Sequence, residues 1–187
     1  MNFSCRIFNL AVKDFKGIRL LQRKVPLSNL QVRNGSFVSK LITEEELLKG
    51  DGSKGKASEL LKDKVVGLYV SAGWCPSCRM YTTKLAKFYN EINKDKHQFE
   101  VIYISGDENE NDMKEYYEEK MGNWLMMKHN LSNSTLVKNE CDIKSIPSFV
   151  IIDKKGDVVV KDGRNQVNGR GKIEPFALFE DWKKIAL

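Results

Sequence analysis

The fold is decided by residues 65–78, which read Val65-Val66-Gly67-Leu68-Tyr69-Val70-Ser71-Ala72-Gly73-Trp74-Cys75-Pro76-Ser77-Cys78. The segment Val65–Ser71 is apolar without alternation, which is typical of a strand covered on both faces. After Pro76, apolar residues recur at spacings of four, three and four, which predicts one face of a helix, at Tyr81, Leu85, Phe88 and Ile92. The segment therefore predicts a buried strand that leads into an amphipathic helix, with two cysteines at the junction.

The position of the two cysteines indicates thiol–disulfide exchange. Cys75 would lie at the helix N-terminus, where unpaired backbone N–H groups and the helix dipole stabilise an anion. Its thiolate is favoured there, so we predict that Cys75 is the nucleophile. Cys78 lies one turn further along, close enough to form a disulfide with it.

Half of a zinc site is the alternative interpretation of Cys-x-x-Cys, and it requires two further ligands. The remaining candidates form no second close pair in the sequence: Cys5, Cys141, His97 and His129. We therefore expect redox chemistry, with no metal and no bound organic cofactor. Cys141 is expected to be a buried apolar thiol, with a regulatory thiol as the alternative.

Length and composition fit one globular domain with an extension, since the chain has 187 residues of which 41% are hydrophobic. No apolar run reaches the roughly 18 residues of a membrane span. Four cysteines do not make a disulfide-rich secreted scaffold. We therefore expect a reducing compartment, the cytoplasm, with the nucleus as a second location.

The net charge of +6 comes from the first 33 residues, which hold seven Lys/Arg and one acid. The remainder therefore carries 31 − 7 = 24 basic and 25 − 1 = 24 acidic residues. No basic cluster marks the folded body, so we expect no nucleic-acid partner.

Residues 1–35 are predicted to be a basic extension, and residues 36–187 the folded domain. The extension contains arginine and is almost free of acids, which is typical of an organelle transit peptide. A plain basic tail and one extra packed helix are the alternatives.

Further elements follow from local patterns. Residues 37–42 fit a short strand, and 49–58 a flexible polar loop. We predict strands at 99–105, 148–153 and 158–160, and helices at 109–121, 135–141 and 174–186. The order β-α-β-α-(α)-β-β-α predicts an α/β domain whose sheet is partly parallel.

Ile146-Pro147 precedes the strand predicted at 148–153. Proline cannot donate to a sheet ladder, so it belongs at the start of a strand. A trans bond is the default for such a proline. A cis bond would leave the backbone of Ile146 free to pair with an extended substrate beside the sulfurs.

These motifs together resemble the thioredoxin superfamily: Trp74-Cys75-Pro76-Ser77-Cys78-Arg79, then Ile146-Pro147 and a hairpin. Residues 67–79 are similar to the tryparedoxin/nucleoredoxin pattern Leu-Tyr-Phe-Ser-Ala-Ser-Trp-Cys-Pro-Pro-Cys-Arg, and the tail at 161–182 most resembles nucleoredoxin-like proteins. The resemblance covers about residues 36–187. It implies a thioredoxin fold, a central mixed sheet flanked by helices, with a cis Pro147.

The resemblance also implies protein-disulfide reductase activity, with Cys75 as nucleophile and Cys78 as resolving thiol. We expect Trp74, Pro76, Ile146 and Pro147 to contact the substrate, core packing being the alternative for Trp74. The expected partners are disulfide-containing proteins and, as electron donor, a thioredoxin-type reductase or a small thiol. We expect a monomer.

Three departures from the family pattern bear on substrate choice. Ser77 replaces the second proline of Pro-Pro, Gly106 stands where tryparedoxins carry a tryptophan, and Met126-Met127-Lys128-His129 replaces a Leu-Pro-Phe-like stretch. Tyr69 occupies the position of a buried acid in ordinary thioredoxins. The proton of Cys78 would then pass to Tyr69, to a water, to Asp107 or to bulk solvent.

Two rivals remain at this stage. Some nucleoredoxin-like proteins act by binding signalling partners, in which case the cysteines would switch an interface with little turnover. An oxidase or isomerase, which runs the exchange in the other direction, is the second.

Removal of residues 1–33 should leave folding and disulfide reduction close to those of the full chain, because every motif of the predicted chemistry lies beyond them. Thermal melts and a disulfide-reduction assay of both forms test this. A fall of the melting temperature by tens of degrees would show instead that the extension belongs to the domain. If the short form is stable, localisation of the tagged full chain in cells separates an organelle address from a simple tail.

Overall fold

The computed structural model describes residues 36–187, and the predicted extension 1–35 lies outside the described residues. Within this range the strands are β1 (Glu46–Leu48), β2 (Lys54–Lys56), β3 (Val65–Ser71), β4 (Phe99–Ser105), β5 (Leu125–Met127), β6 (Ser148–Ile152) and β7 (Val158–Val160). The helices are α1 (Phe37–Thr43), α2 (Ala57–Leu60), α3 (Pro76–Asn93), α4 (Glu110–Lys120), α5 (Leu131–Glu140), α6 (Gly163–Asn168) and α7 (Pro175–Ala186), with a 3₁₀ turn at Arg170–Lys172.

The strands form one mixed sheet in the order β2-β1-β5-β4-β3-β6-β7 across the described residues. Strands β3, β4 and β5 are parallel, and the outer strands run antiparallel to their neighbours. Parallel neighbours require crossovers, which α3 and α4 supply. The predicted α/β thioredoxin fold, a central mixed sheet flanked by helices, is confirmed.

Side chains of β3 and β4 alternate between two cores, one on each face of the sheet. Tyr69 and Tyr103 point into an aromatic core that α3, α4 and α7 cover. Leu68 and Ile102 point into an aliphatic core that α1 and α5 cover. Both strands are buried along their whole length, as the absence of alternation predicted.

Several predicted boundaries agree with the structure. Strands β3, β4 and β7 have the predicted limits, and α3 begins at Pro76. Its predicted inner face is buried: Tyr81, Leu85, Phe88 and Ile92.

The predicted short strand at residues 37–42 is wrong, because this segment is helix α1. Its buried residues Val38, Leu41 and Ile42 follow helical spacing. The carboxylate of Glu140 accepts hydrogen bonds from the first two backbone N–H groups, of Phe37 at 2.8 Å and Val38 at 2.9 Å. Ser36 caps this helix locally by accepting the N–H of Ser39 at 3.0 Å, and the distant Glu140 satisfies two further N–H groups of the first turn.

Other elements were missed or misplaced at the edges of the sheet. Residues 49–58 are not wholly a loop, since β2 and the start of α2 lie there. Neither β5 nor α6 was predicted, and α5 begins four residues before the predicted 135. These elements are short and depend on pairing or packing with distant segments.

Two features are absent from residues 36–187. No helix in this part of the chain is long and apolar enough to cross a membrane. The same residues contain no group of three or more His, Cys, Asp or Glu side chains arranged to hold a metal ion.

Gly67→Ala should destabilise the domain by about 1–3 kcal/mol, the usual cost of overpacking a core. A Cβ at this position of β3 would lie 2.4 Å from a ring carbon of Phe149. That ring is fully buried against Phe99 and Trp182, so it has little room to move. Urea unfolding measures the change, with Gly106→Ala as control, where the nearest contact is 3.5 Å. Equal stability of the two variants would show that Phe149 relaxes.

Candidate active site

Cys75 is the N-cap residue of α3, in the extended conformation that a cap requires. Its Sγ accepts the backbone N–H of Cys78 at 3.4 Å. Pro76 fills the first helical position, where a missing N–H costs nothing. The predicted location of Cys75 at a helix N-terminus is confirmed, and its sulfur takes the place of the usual capping oxygen.

The two thiols differ in access to solvent. Cys75 is 6% exposed, whereas Cys78 is fully buried beneath it. Both are free thiols. A large disulfide substrate can therefore reach Cys75 first.

The pKa of Cys75 is held below its ordinary value. Burial opposes ionisation, but hydrogen bonds from the Cys78 thiol, the Ser77 hydroxyl and the backbone N–H groups of Cys78 and Ser77 outweigh it. The Oγ of Ser77 lies 3.2 Å from Sγ of Cys75. Ser77, the departure from the family pattern, thus donates twice to the sulfur, and a proline there would donate neither bond.

The pKa of Cys78 moves in the opposite direction, to about 12, because burial disfavours its thiolate and its proton is shared with Cys75. The hydroxyl of Ser71 and the backbone N–H of Ala72 partly offset this rise. Of the two thiols Cys75 therefore ionises first, so the first negative charge of the pair lies on the accessible sulfur.

A buried cluster of hydroxyl groups lies behind Cys78. Tyr69 Oη accepts from Ser71 Oγ at 2.9 Å and lies 2.7 Å from Thr82 Oγ1. Tyr116 Oη is hydrogen-bonded to Ser71 and to Thr82. Thr82 also donates to the carbonyl of Cys78 at 2.9 Å.

The groups of the hydroxyl cluster are uncharged. Burial raises the pKa of Tyr69 and of Tyr116, so both remain protonated at neutral pH. Ser71, which donates to Tyr69, is the cluster member whose hydroxyl also lowers the pKa of Cys78. Of the members of this cluster, the sequence analysis named Tyr69 alone. The signal that could have identified Ser71 and Thr82 is a polar residue in a buried position.

Asp107 anchors the loop before the cysteines instead of contacting Cys78. Its carboxylate is buried and accepts the backbone N–H of Gly73 at 2.7 Å. The other oxygen accepts the hydroxyls of Tyr103 and Ser105, each at 2.9 Å. His129, which the sequence left without a role, donates from Nε2 to the backbone oxygen of Asp107 at 2.9 Å.

Trp74 lies on the surface beside the cysteines and is 65% exposed. Its indole N–H donates to the backbone oxygen of Gly106 at 3.2 Å. Core packing, the alternative role for Trp74, is therefore excluded. Pro76 is exposed as well.

The Ile146–Pro147 peptide bond is cis, as the resemblance implied. Val70 of β3 pairs with Ser148 of β6, so the next residue, Pro147, lies beside the end of β3 from which the cysteine loop begins. Ile146 is half-buried. Arg164, which the sequence analysis missed, donates from Nη1 to the Pro147 carbonyl at 3.3 Å.

The other weighed residues lie away from the cysteine pair. His97 contacts Glu100 at 2.9 Å before β4. Cys141 is buried, as expected, and burial raises the pKa of its thiol to about 11.

Comparison with known proteins agrees with this geometry. A family model described as thioredoxin-like matches residues 63–158. This chain belongs to the thioredoxin-like family. Within it the chain is nucleoredoxin- and tryparedoxin-like, and membership supports a redox function.

Three relatives illustrate the similarity. Nucleoredoxin of Xenopus laevis is 32% identical over 118 residues, which cover 63% of this chain and 28% of that protein. The crystal structure of thioredoxin from Wuchereria bancrofti has a TM-score of 0.64 at 38% identity, covering 76% of this chain and 95% of that one. Tryparedoxin II complexed with glutathionylspermidine has a TM-score of 0.62 at 31% identity, covering 75% and 99%. The chain thus spans less than a third of the nucleoredoxin that it matches.

Substitution of Ser77 should shift the ionisation of Cys75 to higher pH in two steps. Ser77→Ala removes the hydroxyl donor, and Ser77→Pro removes the hydroxyl and the backbone N–H. Each lost bond to the thiolate destabilises the anion by about 1–3 kcal/mol. We expect the midpoint of the pH profile of Cys75 alkylation to rise from the native chain to Ser77→Ala and again to Ser77→Pro. Unchanged midpoints would show that the helix N-terminus alone sets the pKa.

Proposed function

We propose that this chain reduces protein disulfides through Cys75 and Cys78. The observation that supports the proposal most is the opposite shift of the two thiols. Hydrogen bonds lower the pKa of the accessible Cys75, whereas burial raises the pKa of Cys78 to about 12. Such a pair presents a nucleophile outward and keeps the resolving thiol protonated until it is needed.

In the first step the Cys75 thiolate attacks one sulfur of the substrate disulfide. A bond forms between Cys75 and that sulfur, the substrate S–S bond breaks, and the second substrate sulfur leaves as a thiolate. Formation of this mixed disulfide removes the negative charge from Cys75. The charge no longer opposes ionisation of Cys78, and the Cys78 pKa falls.

In the second step Cys78 loses its proton and attacks Cys75. The substrate thiolate that left in the first step is the stoichiometric proton acceptor, and the Ser71 hydroxyl stabilises the Cys78 thiolate by turning its proton from Tyr69 to that sulfur. The mixed disulfide breaks, the first substrate sulfur is released, and Cys75–Cys78 becomes a disulfide. The substrate gains two electrons and the enzyme loses two. No metal or organic cofactor takes part.

The surface around Cys75 supports docking of an extended polypeptide. Trp74 and Pro76, the two residues that flank Cys75 in the sequence, are both exposed. Ile146 and the cis Pro147 lie just before β6, beside the end of β3. Ile146 pairs with no strand of the described sheet, so its backbone is available for pairing with a substrate strand. We assign these four residues to substrate binding.

A separate donor must restore the dithiol after each turnover. We propose a thioredoxin-type reductase or a small thiol, and the structure of tryparedoxin II with glutathionylspermidine supports the second. Such a cycle requires a reducing compartment, which is why we place the chain in the cytoplasm or nucleus.

Cys75→Ser should abolish turnover, and Cys78→Ser should accumulate the mixed disulfide, because only the second step is lost. Mass spectrometry after incubation with a disulfide substrate detects the adduct. Cys141→Ser serves as control, since this buried thiol has no part in the proposal. An adduct on Cys78 in the Cys75→Ser variant would reverse the assignment of the two roles.

Insulin reduction by the native chain separates the enzyme from the binding-module alternative, which predicts little turnover. The reduction potential separates a reductase from an oxidase, because reductants lie near about −270 mV and strong oxidants near about −120 mV.

A further inference from the structure

A groove of about 570 Å³ lies between helix α3 and the segment that joins α6 to α7. We name it the lysine groove, after three lysines that line it with apolar residues: Lys84, Lys87, Lys172, Phe88, Val167 and Pro175. It is separate from the cysteine pair, and none of the proposed substrate-binding residues lines it.

Helical spacing on α3 builds one wall of the groove. Lys84 and Lys87 lie one turn apart, next to Phe88, which forms the apolar floor. Gly171 lies close on the opposite wall, where a Cβ would come within 3.3 Å of Phe88.

The groove carries an uncompensated positive charge. Lys84, Lys87 and Lys172 are exposed and form no ion pair within residues 36–187. The acid in the lining, Glu91, is paired with Lys94 at 2.8 Å. Three positive charges therefore surround an apolar floor.

Apolar surface continues past the groove along the start of α7. Ile173 is 81% exposed and Phe176 is 40% exposed. Because lysines lie on both walls and the apolar surface continues beyond them, the surface fits a peptide of several residues better than one small carboxylate.

We propose that the lysine groove binds an acidic amphipathic segment of a partner protein. Apolar side chains of the segment would cover Phe88 and Val167, and its carboxylates would face Lys84, Lys87 and Lys172. An amphipathic helix that lays its apolar face into a hydrophobic groove is a common mode of peptide recognition.

The groove shares helix α3 with the cysteines. Lys84 follows Cys78 by six residues, or about 9 Å along the helix axis. A partner held in the groove would keep its disulfide at high effective concentration near Cys75. This part of the inference rests on the proposed reductase function, whereas binding itself does not.

The binding test uses the full chain and a fluorescein-labelled helical peptide with leucines at i, i+3, i+4 and i+7 and glutamates elsewhere. We expect anisotropy to show binding that Lys84→Glu/Lys87→Glu/Lys172→Glu weakens about tenfold or more, and that salt weakens in the native chain. The same peptide with lysines in place of glutamates should not bind. Circular dichroism and thermal melts verify folding, and the milder Lys84→Gln/Lys87→Gln/Lys172→Gln variant should show the same loss if charge reversal disturbs the fold.

The matched control is Lys40→Glu/Lys138→Glu/Lys155→Glu. Two of these lysines lie on α1 and α5, which cover the other face of the sheet, and the third lies in the turn after β6. Equal loss of binding in this control would overturn the proposal, since net charge alone would then account for it. Competition by octanoate at concentrations that displace the peptide would also overturn it, in favour of a small carboxylate ligand.

The kinetic arm compares a small aromatic disulfide with a peptide disulfide that carries the acidic helix. The groove variants should reduce the small disulfide at the native rate and lose about tenfold in kcat/KM for the peptide disulfide. If the groove variants reduce each of the two disulfides at the rate of the native chain, the docking role is refuted. If the native chain reduces neither disulfide but binds the acidic peptide, the proposed function fails while the binding claim stands.

Discussion

The chemistry of this domain depends on the direct passage of a buried strand into a helix whose N-cap is a thiol. Strand β3 ends at Ser71, and four residues later Cys75 caps α3 with its sulfur. The cap exposes the sulfur to backbone donors that the helix cannot satisfy internally. Pairing of β3 with β4 and β6 fixes the strand end, and packing of α3 on the aromatic core fixes the helix axis. The position of the nucleophile is thus set by a fully buried strand and by a helix packed on the core, and Asp107 holds the short loop between them.

The polar groups around this junction divide into two kinds. Asp107 is a buried carboxylate whose oxygens are all engaged, and it restrains the backbone of Gly73. Behind Cys78 the buried groups are hydroxyls, which are neutral at physiological pH. A carboxylate there would disfavour a second negative charge on Cys78, whereas the Ser71 hydroxyl favours it by hydrogen bonding. Asp107 therefore holds the loop, whereas the hydroxyl groups affect the ionisation of the resolving thiol.

Local sequence patterns predicted β3, the start of α3 and the cysteine motif. Elements and site residues that depend on contacts between distant parts of the chain were not predicted. The limits of β3 follow from its unbroken run of apolar residues, and the start of α3 follows from the helical spacing of apolar residues after Pro76. Both patterns lie within the segment itself. The strand predicted at residues 37–42 is wrong although Ser36 caps α1 locally, and the added bonds from this helix to Glu140, about a hundred residues away, have no local pattern. Cys75 was recognisable from its motif. The sequence analysis considered Asp107 only as a proton acceptor for Cys78, because its bond to Gly73 across 34 positions has no local pattern.

The unequal burial of the three tryptophans has a spectroscopic consequence. Trp124 and Trp182 are enclosed in the aromatic core, whereas Trp74 stands in solvent next to the cysteine pair. Emission from the chain should therefore contain a short-wavelength component from the core and a long-wavelength component from Trp74. Acrylamide would quench the second component alone. Because the exposed indole is adjacent to the two sulfurs, its emission provides a built-in optical signal of their oxidation state, which requires no attached dye.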